Sequence, residues 1–192
     1  MWPTPSLIAR AMMNLVYFDL ETQKGANEVG GWRNKSAMRM SLGVTYGTAR
    51  QGYRIYLEGE VEALLQELRS ADLIVGFNIL GFDFPVLEAY TVFDLRDLPA
   101  LDLLRDVEAQ IGRRMSLESL ARATLGIGKT AEGVQALRWW KEGKLVQIAE
   151  YCCYDVKVTR LLHEHGVRHG EIHYFNEQTQ RKESLPVPWK PS

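Results

Sequence analysis

The sequence contains very little cysteine. Its 192 residues include two cysteines, Cys152 and Cys153, which are adjacent in the chain. Neighbouring cysteines cannot link distant segments, so a framework of disulfides is excluded. We therefore interpret the chain as a reduced, intracellular protein.

Long apolar runs are also missing. No run approaches the roughly 20 residues that a helix needs to span a bilayer. The first ten residues, MWPTPSLIAR, lack the basic segment and apolar core of a secretory signal. We expect a cytoplasmic protein that has no membrane partner.

The chain has no excess of charge of either sign. Its 23 basic and 24 acidic residues give a net charge of −1, so the whole molecule has no electrostatic attraction to nucleic acid. Basic residues do group within 24–39 and 138–144, although solvated surface charge is the commoner explanation of such groups. The length and the 46% hydrophobic content predict a single globular domain, with 1–13 as an N-terminal extension and 176–192 as a polar C-terminal tail.

Residue patterns predict an α/β fold in which helices flank a mixed sheet. The first three strands should form an antiparallel meander, and the tail from Asn176 should lie extended on the surface. The predicted strands are 14–21, 38–47, 52–59, 73–77 and 100–104. The predicted helices are 60–70, 116–126, 133–143 and 144–166, the last of them ending at Gly166.

Acidic residues lie at the ends of two predicted strands. Asp19 and Glu21 close the first strand and share a side because strand side chains alternate. The stretch FNILGFDF (77–84) places Asn78 and Asp83 where a buried strand gives way to a helix. The first pair alone is weak, because a turn-forming pair is an open alternative and 106–108 repeats the same spacing on a polar helix.

The last predicted helix contains YCCYD (151–155). Tyr151 and Asp155 are four residues apart, so they lie on one helix face. A partly buried tyrosine near a solvated acid is the alternative, and Tyr90 and Asp94 repeat the spacing where a helix ends.

Taken together, these acids indicate a metal site, which no single one of them does. If the last helix crosses the ends of strands one and four, four carboxylates converge, and they cannot all stay ionised without cations. Oxygen ligands without His or Cys favour Mg²⁺ or Mn²⁺. Two such ions about 3.5–4 Å apart can promote displacement at phosphorus.

Three motifs in order resemble those of the DEDD superfamily of 3′–5′ exonucleases, which have a ribonuclease H-like fold. They are FDLET (18–22), NILGFD (78–83) and YCCYD (151–155). The tyrosine is typical of the DEDDy branch. The second motif and LESLARATLG (117–126) are most similar to the proofreading exonuclease domain of family B DNA polymerases.

This resemblance implies a role for each matching residue. Asp19 would bridge two Mg²⁺ or Mn²⁺ ions, Glu21 and Asp155 would complete one of them, and Asp83 would act on the other through water. Tyr151 would orient the attacking water. The substrate-binding residues would be Leu20, Asn78 and Phe82, with Phe82 packing on a base or sugar.

The expected function is hydrolysis of single-stranded or frayed 3′ ends by a divalent-metal-dependent 3′–5′ exonuclease. The family B likeness favours DNA over RNA. A polymerase domain does not fit in 192 residues, so the exonuclease acts alone or a separate polymerase or helicase supplies its substrate. The alternative is a noncatalytic nucleic-acid-binding or protein-interaction module on the same fold.

Two further patterns are set aside. GIGKT (126–130) lacks the first glycine of a P-loop and follows a helix instead of a strand. Four histidines between 163 and 173 suggest a metal cluster, but we interpret them as solvated side chains near a helix end.

Overall fold

A five-stranded mixed sheet lies at the centre of the computed structural model, which describes residues 13–128 and 133–189. In the order β3-β2-β1-β4-β5, the first three strands in sequence pair antiparallel, and β4 is parallel to both β1 and β5. The predicted mixed sheet with an antiparallel meander is confirmed. The strands are β1 (Leu15–Thr22), β2 (Met40–Gly47), β3 (Gly52–Leu57), β4 (Leu73–Gly76) and β5 (Ala100–Asp102).

Helices flank this sheet, as the sequence predicted. They are α1 (Val61–Ser70), α2 (Asp83–Leu87), α3 (Leu103–Ile111), α4 (Leu117–Leu125), α5 (Gly133–Lys141) and α6 (Leu145–His169). None of the helices within the described ranges has both the length and the apolar character needed to cross a membrane.

The central strand β1 is buried on both faces. Leu15 and Tyr17 belong to a core shared with α6, whereas Val16, Phe18 and Leu20 belong to a second core shared with α1. A nearly continuous apolar run is what a strand covered on both faces requires. This burial fixes the register of β1 and therefore the place where its acidic end emerges.

Helix α6 is longer than predicted. It continues through Gly166 and ends at His169, where Gly170 adopts a left-handed conformation with φ of 71°. Gly166 serves packing within the helix, because a Cβ at this residue would lie 2.3 Å from Cε3 of Trp189. The prediction that Gly166 stops the helix was wrong for this reason.

The C-terminal segment forms a hairpin where an extended surface tail was predicted. Strands β6 (Glu171–Asn176) and β7 (Arg181–Pro186) pair antiparallel. Trp189 is then buried, and its Nε1 donates a 2.9 Å hydrogen bond to Asp106. Because most residues of the hairpin are polar, its one buried face could not be recognised from the sequence. Residues 1–12, nearly all of the predicted N-terminal extension, and residues 190–192 lie outside the described ranges.

His163 is buried, although it was predicted to be solvated. Its Nδ1 lies 2.9 Å from the Tyr17 hydroxyl, and its ring stands beside Trp189. Burial lowers the pKa of His163 to about 4, so the imidazole is neutral at neutral pH. Of the four histidines that were expected to be solvated, His163 belongs to the core.

Candidate metal centre and cleft

Three acids from two distant elements meet at one end of the sheet. Asp19 and Glu21 lie on one side of β1, and α6 brings Asp155 across that strand end. One carboxylate oxygen from each lies within 4.8 Å of the others. This is the one group of potential metal ligands found in the described part of the chain.

The environment of these acids disfavours bare negative charge. Burial raises the pKa of Asp19 well above its usual range, and Asp83, Asp155 and Glu21 raise it further. Burial, Asp155 and Asp83 likewise raise the pKa of Glu21. Such a group must bind protons or cations. The all-oxygen donor set fits hard divalent ions such as Mg²⁺ or Mn²⁺.

Asp83 lies beside this group but outside it. It is the first residue of α2, is 2% exposed, and accepts a 3.0 Å hydrogen bond from the backbone N–H of Leu20. Burial raises the pKa of Asp83 to about 8, against the effect of its backbone hydrogen bonds. The structure therefore gathers three of the four predicted acids, while the fourth lines the same cleft and is held by the β1 backbone.

The turn that carries the second motif is organised by Asp102, which the sequence analysis missed. Its carboxylate accepts hydrogen bonds from the backbone N–H of Asn78 at 2.8 Å and of Leu80 at 3.0 Å. Asn78 has φ of 67°, and Gly81 passes so close that a Cβ there would lie 2.5 Å from Asn78 Oδ1. The available signal was an aspartate directly before the apolar run of α3, a typical N-cap.

Tyr151 stands next to the acids on α6. Burial raises the pKa of its hydroxyl well above the usual range, with further contributions from Asp155, Glu21 and Asp19. The hydroxyl is therefore protonated at any physiological pH. Tyr154 faces elsewhere, since its hydroxyl donates to the backbone carbonyl of Gly128 at 2.5 Å.

An aromatic pair lines part of the cleft that contains the acids. Phe82 lies edge to face with Trp32, with ring centroids 6.3 Å apart, and both line a cleft of about 570 Å³ that also contains the acids. Trp32 is 66% exposed although it is large and apolar. The sequence predicted no role for the loop that contains Trp32, because a single aromatic in a polar loop has no periodic signal.

The remaining predicted substrate residues lie at the same cleft. Leu20 lines it, but its side chain is 3% exposed and packs in the core. Asn78 faces the mouth, where its Oδ1 accepts a 3.0 Å hydrogen bond from Arg114. Arg114 also pairs with Glu108 at 3.6 Å and was not predicted from the sequence.

The side chains of the repeated acidic and tyrosine motifs do not line the cleft. Asp106 accepts from Trp189, as described above. The Tyr90 hydroxyl donates to Glu58 at 2.6 Å, and Asp94 accepts from the backbone of Arg96. None of these side chains lines the cleft that contains the three acids.

Comparison with known families agrees with this architecture. A family model described as RNase H superfamily matches residues 16–167, a range that runs from β1 nearly to the end of α6 and contains all four predicted acids. A search of curated proteins found no match. Proteins with this fold are commonly nucleases that require divalent metal ions and bind nucleic acid. The chain, by this match over most of its length, belongs to the RNase H superfamily.

Proposed function

We propose that the protein is a DEDDy-type 3′–5′ exonuclease that removes nucleotides from single-stranded or frayed 3′ ends. The observation that carries the proposal is the meeting of Asp19, Glu21 and Asp155 within 4.8 Å, with Tyr151 beside them in the same cleft. A general RNase H-type nuclease needs the acids but gives no reason for the adjacent tyrosine.

In this proposal the acids hold two Mg²⁺ or Mn²⁺ ions. Asp19 would contribute to both ion sites, Glu21 and Asp155 would complete one of them, and Asp83 would serve the other. When bound, the ions supply positive charge against the charge that develops on the phosphate, and they acidify a water.

Tyr151 orients the attacking water. A hydroxyl whose pKa is raised by burial and by neighbouring acids is a poor base. It can still donate a hydrogen bond and fix the direction from which the water approaches phosphorus. Tyr151 would therefore contribute orientation of the water and not removal of its proton.

In this proposal the terminal nucleotides contact the aromatic pair and Asn78. Phe82 and Trp32 offer apolar ring surfaces to a base or sugar, and stacking of this kind tolerates any base. Asn78 offers a polar side chain at the mouth. A paired end must first open at a cost of about a few kcal/mol, so single-stranded ends are the proposed substrate. DNA is proposed before RNA, with a separate polymerase or helicase as a source of such ends.

The direct test uses DNA and RNA strands labelled at the 5′ end, incubated with Mn²⁺ or Mg²⁺. We expect a ladder of products shortened from the 3′ end, faster on single strands than on blunt duplex. Asp19→Ala and Asp155→Ala should abolish the ladder while Asp97→Ala, an exposed acid outside the cleft, leaves it intact. Cleavage that persists in excess EDTA, or internal fragments that appear first, would contradict the proposal.

A further inference from the structure

A second cleft opens beside the candidate active site. Its volume is about 540 Å³, and it lies between the α3–α4 loop, α4 and the β6–β7 hairpin. We name it the basic cleft and define it by the lining residues Arg113, Arg114, Ser116, Arg122, Phe175 and Lys182.

Positive charge dominates its walls. Four of the lining side chains are cationic, and Glu177 is the one carboxylate among the described residues that line it. Arg113 and Lys182 have no ion pair with a carboxylate within the described part of the chain. Arg114 and Arg122 do pair with Glu108 and Glu118, but these pairs are exposed, and exposed pairs contribute little stability. A phosphate can therefore replace either carboxylate.

Some cations of the basic stretches noted in the sequence are already held in ion pairs with carboxylates. Arg39 pairs with Glu58 at 2.8 Å, and Lys141 pairs with Glu28 at 2.8 Å. The cations of the basic cleft come instead from three separate segments. Only the fold assembles them, so inspection of charge along the sequence could not find them.

An exposed aromatic ring accompanies the cations. Phe175 is 45% exposed, and it lies directly across from Lys182 in the hairpin, so the two side chains share one face. Ile172 and Leu185 anchor the hairpin through the opposite face and are buried. Phe175 is thus not needed to fix the hairpin. A ring flanked by cations is the arrangement that binds single strands, since bases stack on the ring while phosphates meet the charges.

The basic cleft continues into the cleft of the acids. Arg114, Met115 and Ser116 line both. Arg114 also donates to Asn78, which stands at the mouth of the candidate active site. A strand whose end reaches the acids therefore has a continuous route past the hairpin, which lies beyond the matched range 16–167.

We infer that the basic cleft binds a single nucleic-acid strand 5′ of the nucleotides that enter the candidate active site, with Phe175 stacked on a base. The polarity of the strand rests on the proposed exonuclease function, whereas the binding itself rests on the cleft. DNA and RNA offer the same phosphates and base faces, and the experiment compares both.

The experiment measures equilibrium binding by fluorescence anisotropy in EDTA, where hydrolysis is blocked. The probes are single-stranded DNA and RNA of about 12 nucleotides, within the site sizes typical of single-strand binding folds. The variants are Arg113→Gln/Lys182→Gln and Phe175→Ala. Arg181→Ala is the matched control, because Arg181 is an exposed cation of the same hairpin that pairs with Asn176 on the other face.

We expect the double variant to bind about tenfold more weakly at low salt, with the slope of log affinity against log salt reduced by about 1.4. Phe175→Ala should lose about tenfold with the slope unchanged, because stacking releases no counterions. Arg181→Ala should bind like wild type. If both cleft variants bind as tightly as Arg181→Ala, the inference is overturned.

A second measurement separates this inference from the proposed function. Hydrolysis of a dinucleotide, which occupies only the site of the acids, should be equal in wild type and in the cleft variants. If the variants bind strands more weakly but wild type does not hydrolyse the dinucleotide, the basic cleft is supported and the proposed exonuclease function is refuted. If wild type hydrolyses the dinucleotide fully and the variants bind strands normally, the exonuclease function is supported and the basic cleft is refuted.

Discussion

The thiol of Cys152 lies 3.2 Å from Oδ2 of Asp19, where the long helix crosses the central strand. Burial raises the pKa of this thiol far above its usual range, and the neighbouring Asp19 raises it further. The thiol therefore stays protonated and donates its hydrogen bond to the carboxylate. A cysteine in this place acts on the orientation of a proposed metal ligand and not as a nucleophile.

Replacement of this thiol tests that role. We expect Cys152→Ala to weaken the apparent affinity for Mn²⁺ by about tenfold, since outer partners of metal ligands have effects of this size. Cys152→Ser, which retains a donor, should recover part of the loss. Cys153→Ala is the control, because that neighbour has no bond to the acids. Mn²⁺ titration of hydrolysis supplies the measurement, and equal midpoints for the two alanine variants would refute the role.

Tyr151 and Tyr154 should differ in their effect on catalysis. Tyr151→Phe removes the hydroxyl beside the acids, so we expect activity to fall by about 10²-fold, less than for Asp19→Ala, with metal affinity retained. Tyr154→Phe removes only a bond to the Gly128 carbonyl and should cost little. The comparison requires single-turnover rates at saturating Mn²⁺. A strongly impaired Tyr154 variant together with a normal Tyr151 variant would contradict the proposed assignment to the tyrosine branch.

Removal of one buried acid should stabilise the metal-free protein. Asp19→Asn relieves repulsion among carboxylates whose pKa values are raised by burial and by one another, so its melting temperature in EDTA should exceed that of wild type. Mn²⁺ at about 100 times its dissociation constant should stabilise wild type by about 2.7 kcal/mol and the variant by much less. Asp97→Asn should melt like wild type in both conditions. A metal-induced shift of equal size in wild type and Asp19→Asn would speak against a metal site at Asp19.

Trp32 should contribute to substrate binding rather than to chemistry. Trp32→Ala removes the ring opposed to Phe82, and we expect KM for single strands to rise about tenfold while kcat changes little. Trp32→Phe should retain most of the affinity. Tyr53→Ala, which alters an exposed aromatic on the edge strand β3, is the control. A loss confined to kcat would contradict a binding role.

His163 should make stability depend on pH. Its pKa is near 4 when folded and near 6.5 when unfolded, so the unfolded chain takes up the proton first as pH falls. Stability is then lost between about pH 6.5 and 4, by about 3 kcal/mol in total. The acids with raised pKa act in the opposite direction, so variants must be compared. In urea titrations, His163→Gln should reduce the loss of the free energy of unfolding with falling pH. The control, His169→Gln at an exposed residue, should not reduce it. Equal pH slopes of the free energy of unfolding for the two variants would contradict this role of His163.

The sequence predicted the sheet well because its strands are marked by local pattern. β1 shows an apolar run because both faces are covered, and the acids at its end stand out against that run. The meeting of Asp19 with Asp155 followed from one assumption, that the last helix crosses the strand ends. That assumption needed no detail of side-chain packing, and the three acids do lie together.

Features that depend on contacts between distant segments were not predictable in this way. Gly166 was expected to end a helix because glycine usually does, yet it lies inside α6 where Trp189 requires a residue without a Cβ. Asp102 was passed over because its partners are backbone groups of a turn 22 to 24 residues away. Trp32 and the basic cleft arise only when loops from separate segments meet.

The position of β1 has a consequence for synthesis of the protein. It lies in the middle of the sheet, and its parallel partner β4 supplies Leu73 opposite Leu15. β1 can pair with β2 soon after both are made, but its other edge must wait for β4, and such nonlocal parallel pairing is slow. The contact between Cys152 and Asp19 spans 133 residues, so the acids cannot assemble before α6 is made. The proposed metal site is thus incomplete in a nascent chain until nearly the whole fold has emerged.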